Sequence, residues 1–547
     1  MGVRYHLKPS DVFVRSKSGL VRVMSAHDAL LFNLVTIQFF GGMIFTLQLA
    51  PLYFPNASVP MAFLLTILFT APLYIVYSIL ATSYPRSGGD YVFTSRLVSP
   101  ALGFVATFAA WVVWQWYFAA ITPIQMIWEG ISPFLVKMQY YTGLPLFSSL
   151  NSWVLTPNGE TLISIAILVA SLLLTAFGMR LYVKIQKILI VFAFVALGLF
   201  LAAMALTTPQ SYQAAFNSFI SASTGNQTDW YNAIINTALA NGYAGAPSGI
   251  DWYQTLGALV LTMIPLGYGF WSIVVMGEIK DAKVVKLATY AIYGSVVVTG
   301  LFFIAIYIAL QNMGSLFYGS FFYLYDTGSP IMANIPFTPN FVTLALIASS
   351  NWLVDLLMTL GVFLNLFNLM IVLYIVGSRV MFAQTLDRLL PSKFAELKTR
   401  FVTPVYSLLV YLLGSVVFVL LAVYYPFIFF YTSASVAAVL LAYILAGVSA
   451  IVFPRKAKDV YKASPISKYS LGGIPLISIL GALSLVLDGL LIYFYIAIPA
   501  LGVANPIPLG VVIGIYVVLF VYYYVNKWAK KKAGVDITLA FKEIPPE

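Results

Sequence analysis

The sequence predicts an all-α polytopic membrane protein with about twelve transmembrane helices. Three observations predict it. Of 547 residues, 61% are hydrophobic and only 9% charged, against roughly 25% charged in a soluble globular domain. About twelve apolar stretches reach the ~20 residues needed to cross hydrocarbon. The basic residues are grouped: 28 of the 29 Lys and Arg fall within residues 4–22, 86–96, 180–187, 280–286, 379–400, 455–468 and 527–542, and Lys137 is the exception. These groups occupy every second connection between apolar stretches, as the positive-inside rule requires. The formal charge of +11 is therefore a matter of topology, not a nucleic-acid footprint.

In chain order, a basic arm (1–28) precedes stretches near 29–52, 60–81, 101–125, 159–178 and 187–206. After the segment 207–254 come stretches near 255–276, 288–311, 352–376, 404–424 and 427–452, then 474–497 and 508–526, and a basic tail (527–547). An even count with this charge pattern puts both termini in the cytoplasm and 207–254 outside. The third stretch contains Pro123, which implies tilt or a kink. Asp229 stands where it could open a short interfacial helix over 230–235. Asn56-Ala57-Ser58 and Asn226-Gln227-Thr228 match the glycosylation sequon on the outer face, a pattern frequent by chance. Lys527-Trp528-Ala529-Lys530-Lys531-Lys532 reads as a stop signal meeting anionic headgroups. No cleavable signal peptide is visible, since residues 1–24 lack an apolar core.

Two stretches break the rule for crossing a bilayer. Lipid offers no partner to a backbone amide, so a span should be continuous helix. Met263-Ile264-Pro265-Leu266-Gly267-Tyr268-Gly269-Phe270-Trp271 instead places a proline, which lacks the amide, beside two glycines costing about 1 kcal/mol each relative to alanine. Ile37-Gln38-Phe39-Phe40-Gly41-Gly42-Met43 interrupts the first stretch in the same way. Interrupted spans in corresponding positions of two halves point to a transport site. The two lie five spans apart, an odd number, so the halves 29–206 and 255–453 would be inverted five-helix repeats, with 474–526 as two peripheral helices. At each break the following half-helix offers free amides and a partial positive charge, which suits a carboxylate. The preceding half offers carbonyls, which suit an ammonium group or cation. One molecule carrying both groups is an amino acid.

Four motifs in order resemble the amino acid–polyamine–organocation (APC) transporters over roughly residues 18–453. Ser83-Tyr84-Pro85-Arg86-Ser87-Gly88-Gly89-Asp90-Tyr91 with Ser99-Pro100-Ala101-Leu102-Gly103-Phe104 and Trp111 is similar to their loop after the second helix. Gly41-Gly42-Met43-Ile44-Phe45 resembles the first-helix glycine motif. Gly269-Phe270 with Glu278-Ile279-Lys280-Asp281 resembles the sixth helix, and Ser378-Arg379 through Asp387-Arg388-Leu389-Leu390-Pro391 and Thr403-Pro404 the junction after the eighth. The resemblance implies a 5+5 inverted-repeat core with helices one and six broken, and amino acids or related amines bound at the breaks. The candidate substrate contacts are Gln38, Gly41, Gly42, Met43, Gly267, Tyr268, Gly269, Phe270 and Trp271, with Trp114, Asn365 and Asn368 from neighbouring spans. Met43 stands where the family has a second glycine and would narrow the carboxylate pocket. Some proton-coupled relatives carry a lysine in helix five, and this chain has none there after Lys187.

Other side chains keep two readings. Trp111, Trp114 and Gln115 wall a pocket or simply pack; Asn365 and Asn368, three apart on one face, bond a substrate or cation or another helix. Asp355, about a turn from the outer surface, reads as solvated, and Asp488 as a structural or subunit contact. Glu278 and Arg379 read as an ion pair at the cytoplasmic end. The expectation is a secondary transporter of amino acids or related amines in the cytoplasmic membrane, driven by sodium or protons, without cofactor, metal site or nucleic-acid partner. A transporter-like sensor is the alternative, though no output domain is evident. Two His, no Cys and no Gly-x4-Gly-Lys-Ser/Thr loop leave little basis for an enzyme or an ATPase.

Overall fold

Twelve helices long and apolar enough to cross a membrane make up the body of the protein: Ala26–Tyr53, Val59–Ser83, Pro100–Thr142, Pro157–Ala176, Met179–Ala205, Trp252–Glu278, Val285–Met313, Trp352–Leu386, Val405–Tyr424, Thr432–Lys456, Leu476–Ala497 and Pro506–Lys532. They are called the first to twelfth spans below. The computed structural model describes residues 19–245, 249–397, 402–425, 432–498, 501 and 506–542. Expectations for residues 1–18 with His6, for Lys398 and Arg400, and for the last five residues lie outside the described residues.

Burial explains the arrangement. The sixth span is buried throughout residues 257–278, while most residues of the fourth, ninth, eleventh and twelfth are not, as in helices facing lipid. The first, second, seventh, eighth and eleventh spans pack against the sixth, and the third reaches it through ring contacts of Trp111 with Trp271 and Phe118 with Tyr268. The eleventh packs on the tenth and second, where Gly447 and Gly481 let two backbones touch. It also reaches the sixth span, for Tyr495 donates to the Val260 carbonyl at 3.3 Å.

The third span runs to Thr142, well beyond the stretch its hydropathy marked, because it carries two π-helical turns, Ala109–Val113 and Met126–Ile131. Each inserts a residue and rotates the faces that follow. Asp355 is not solvated. It is 1% exposed, 3.6 Å from the Lys137 ammonium, and accepts the Tyr141 hydroxyl at 2.7 Å. Asp488 is likewise covered within the chain, at 1% exposure, so it is no subunit contact. Glu278 and Arg379 form a buried bidentate pair at 2.8 and 3.3 Å.

The connections on the face opposite the basic clusters are helical. Asp229 caps Trp230–Ala240 by accepting the Asn232 amide. Tyr231 of that helix stacks on Phe317 of the helix Ser315–Asp326, with ring centres 4.3 Å apart. This second helix is fastened to the first span: Tyr318 donates to the Leu47 carbonyl at 2.7 Å, and Gln48 donates to Asp326 at 2.9 Å. On the basic face the chain before the first span pairs with the end of the sixth, the Val23 and Met24 amides donating to the Glu278 carbonyl. The tail does more than end the last span. Ile537, Ala540 and Phe541 are buried, and the Arg96 guanidinium lies 5.3 Å from the Phe541 ring.

Burial pushes the Asp326 carboxyl up to about 7 from 3.8, with the Gln48 hydrogen bond opposing the shift. A carboxyl raised in this way contributes stability that is complete below its unfolded value and is lost as pH rises through about 7. Asp326→Asn keeps an acceptor for Gln48 and removes the charge. Its thermal unfolding midpoint should exceed that of the parent at pH 8 and match it near pH 4; equal midpoints at pH 8 would contradict the assignment.

Candidate functional site

The first span divides at Gln38-Phe39-Phe40, between helices Ala26–Ile37 and Gly41–Tyr53. The departure begins at Gln38, whose φ of 68° is rare for a residue with a side chain. Its side-chain Nε2 donates to the carbonyls of Val35 at 3.3 Å and Asn365 at 3.4 Å. Gly41 and Gly42 therefore open the second half-helix; they are not the break itself. Their bareness is required by packing. A Cβ at Gly42 would stand 2.6 Å from the Ile37 carbonyl oxygen and 2.8 Å from Pro265, and one at Gly41 would stand 2.7 Å from Leu366.

The sixth span divides after Leu266, and Gly267-Tyr268-Gly269-Phe270 turns into a tight helix over Trp271–Glu278. The four carbonyls here each receive a hydroxyl from a different span. Tyr74 of the second span donates to Leu266, and Tyr443 of the tenth to Gly267 at 2.6 Å. Thr36 of the first shares its hydroxyl between the Tyr268 and Asn33 carbonyls, both at 2.7 Å, and Ser295 of the seventh shares its own between Gly269 at 3.2 Å and Ile292 at 2.7 Å. The carbonyls of this break are thus engaged by the protein and not held open for a ligand. Asn33 joins the two breaks further, accepting the Ser272 amide at 2.8 Å and donating to Ser272 and the Ala291 carbonyl.

Between the breaks lies a cavity of about 40 Å³, room for a few water molecules. Its wall combines Thr36, Ile37, Gln38, Gly41, Gly42 and Phe45 with Ile264, Pro265, Tyr268 and Trp271, closed by Phe118, Ile121, Thr122 and Gln125 of the third span and Leu369 and Leu373 of the eighth. No lining side chain is charged. Trp271, Tyr268 and Thr36 are fully buried, while Gly42, Phe45, Phe118 and Gln125 keep partial exposure. The cavity also presents buried polar atoms without a protein partner: Gln38 Oε1, Tyr268 Oη and Trp271 Nε1. Such atoms cost roughly 1–3 kcal/mol each when left unpaired.

Of the residues singled out in the sequence, Gln38, Gly41, Gly42, Tyr268 and Trp271 line this cavity. Met43 is buried outside it, and Trp114 lies nearer the basic end of the third span. Gly267 and Gly269 face packing: a Cβ at Gly269 would stand 2.4 Å from Val296 and one at Gly267 2.6 Å from the Met263 carbonyl. Phe270 stacks on Tyr77 with ring centres 4.1 Å apart. Asn365 sits one turn from Leu369 on the cavity face of the eighth span, with both amide atoms unpartnered. Asn368 accepts the Tyr182 hydroxyl at 3.2 Å.

Thr36 and the third-span set were missed. Phe118, Ile121, Thr122 and Gln125 follow the i, i+3, i+4, i+7 spacing of one helix face. That face continues from Trp114, four residues before Phe118 in the same helix, so Trp114 marked the right face one turn short of the cavity. Thr36, three residues after Asn33 in an otherwise apolar run, was a signal left unused.

A family model described as amino acid permease matches residues 29–525. No curated protein matches the chain.

The hydroxyl contacts to the sixth-span break can be removed singly. Tyr74→Phe leaves the Leu266 carbonyl unpaired at a cost of roughly 1–3 kcal/mol. The variant should insert normally and unfold several degrees lower in a detergent thermal-shift assay; an unchanged midpoint would mean the contact carries no stability.

Proposed function

This chain belongs to the amino acid permease family, and on that premise we propose that it is a secondary transporter of amino acids with uncharged side chains, working by alternating access in the cytoplasmic membrane. The observation that carries this reading is a cavity between two interrupted spans whose wall has no charged side chain. The substrate carboxylate lies on the free amides that open the helix at Gly41 and Gly42, where the helix end also supplies a partial positive charge. The ammonium group meets the carbonyl end of the helix Ala26–Ile37, the Gln38 side-chain oxygen and the Tyr268 hydroxyl. The substrate side chain lies among Phe45, Phe118, Ile121, Ile264, Leu369 and Leu373, with Trp271 as floor. A second ammonium, as in lysine or a diamine, would meet no carboxylate there, and an uncompensated buried charge costs several kcal/mol.

The inverted repeats 29–206 and 255–453 are the moving parts of this scheme. Both termini are cytoplasmic on the positive-inside argument, and the gradient is one of sodium or protons. Glu278 with Arg379 closes the cytoplasmic end. The helix Ser315–Asp326, held on Leu47 and Gln48, closes part of the outer one. Asn365, with its amide free and one turn from the cavity, is the first residue to join the site when the spans rearrange.

Purified protein in proteoliposomes should exchange tritiated alanine or leucine for the same compound inside, and should exchange lysine or putrescine at least tenfold more slowly. Exchange of lysine with exclusion of alanine and leucine would overturn the substrate class; no exchange of any of the four would overturn transport. Trp271→Phe retains an aromatic ring against Tyr268 and removes the indole N–H. It should raise the half-saturation concentration roughly tenfold, about 1.4 kcal/mol, with the thermal midpoint unchanged. An unchanged half-saturation concentration would place the substrate elsewhere.

A further inference from the structure

The cavity wall contains no titratable carboxyl, yet a buried carboxyl without a partner stands on the other side of the sixth-span break. Asp488 is 1% exposed, and both of its oxygens lack a hydrogen-bond partner among the described residues. Its position relative to the break follows from the packing of the tenth and eleventh spans. Ser478 donates to the Ile451 carbonyl at 3.2 Å, and Gly481 and Ser484 lie against Gly447. In these antiparallel helices the paired numbers therefore add to nearly the same total. Continued one turn further, that register sets Asp488 level with Tyr443. Tyr443 is the residue whose hydroxyl donates to the Gly267 carbonyl at 2.6 Å. The Asp488 carboxyl interacts electrostatically with Tyr443 and with Tyr77 of the second span. The Tyr77 hydroxyl has no partner, and its ring is stacked on Phe270.

We propose that Asp488 is the proton-coupling carboxyl of this transporter, acting on the sixth-span break through Tyr443. The proposal rests on the transport reading above and adds to it the driving ion and its site. A lone carboxylate in an apolar interior is tolerated only when neutralised, and no Lys, Arg or His pairs with Asp488 among the described residues. The titratable groups facing it are Tyr443 from the tenth span and Tyr77 from the second, with Asp90 electrostatically linked behind Tyr77. The half-helix Leu259–Leu266 of the sixth span presents none. With Asp488 as the neutral acid, the single hydroxyl proton of Tyr443 stays on the Gly267 carbonyl and the break is latched, and in this form the substrate-loaded protein passes between its inward- and outward-facing states. Loss of the Asp488 proton to one aqueous side creates a carboxylate. Hydrogen bonds to a carboxylate are roughly twice as strong as neutral ones, so the Tyr443 hydroxyl turns to Asp488 and frees the Gly267 carbonyl. Each cycle takes one proton from one side and releases it on the other, with no other reactant.

The test compares wild type and Asp488→Asn in proteoliposomes loaded with the pH indicator pyranine. Three readouts are alanine or leucine exchange without gradients, accumulation under an imposed pH gradient or an imposed sodium gradient, and substrate-induced proton entry. Wild type should accumulate substrate under the pH gradient and take up protons. Asp488→Asn should retain exchange, within about twofold, while losing gradient-driven accumulation and proton entry. Tyr443→Phe, which keeps the ring and the carboxyl but cannot form the latch, should exchange more slowly than wild type and lose the dependence of exchange on pH. Accumulation by Asp488→Asn equal to wild type, accumulation by wild type under sodium alone, or loss of exchange together with accumulation in Asp488→Asn would each overturn the coupling role. Absence of exchange in wild type would instead be a failure of the transport reading, and the gradient-free arm separates the two.

Discussion

The architecture depends on backbone groups that cannot be left bare at membrane depth. Opening a helix in the sixth span frees four successive carbonyls, and the protein answers each with a hydroxyl: Tyr74, Tyr443, Thr36 and Ser295. These come from four different spans, so the break holds the surrounding helices together as much as they hold it open. This is the condition under which irregular backbone survives away from water. The glycines serve the same end. Gly42 against Pro265 and Gly269 against Val296 let the two interrupted spans and the seventh approach without side chains between them.

What remains between the spans is small, apolar along much of its wall, and punctuated by a few unsatisfied polar atoms. Gln38 Oε1, Tyr268 Oη and Trp271 Nε1 are unpaired, while the polar groups that hold the break are paired. A paired buried group stabilises the fold, whereas an unpaired one carries a cost that a bound polar group would offset. No charged side chain lines the wall, so the electrostatics of the cavity are set by helix ends and neutral dipoles.

The fold was largely legible because hydropathy and charge spacing act over long windows, and because Pro265 with two glycines is costly enough to have one explanation. Residue-level detail was less so. Gly41 and Gly42 marked the first break, yet the chain departs from helix three residues earlier, at Gln38, whose positive φ no composition rule signals. Tyr74 and Tyr443 lie 192 and 176 residues from the carbonyls they bind, and such pairings exist only in three dimensions. The third-span wall continues the face of Trp114, but the cavity begins a turn beyond that residue, at Phe118. Asp355 looked solvated because its partners, Lys137 and Tyr141, sit in a helical extension that hydropathy did not register.

The chain contains no cysteine, which makes one measurement decisive for the central claim that the two breaks enclose the substrate. Phe45→Cys and Gln125→Cys, each on the partly exposed rim of the cavity, would be treated in membranes with a charged methanethiosulfonate reagent, with Leu413→Cys on the apolar exterior as reference. The account predicts labelling at residues 45 and 125 that saturating transported amino acid suppresses, and no labelling at 413. Labelling at 45 and 125 that no transported amino acid affects would contradict it.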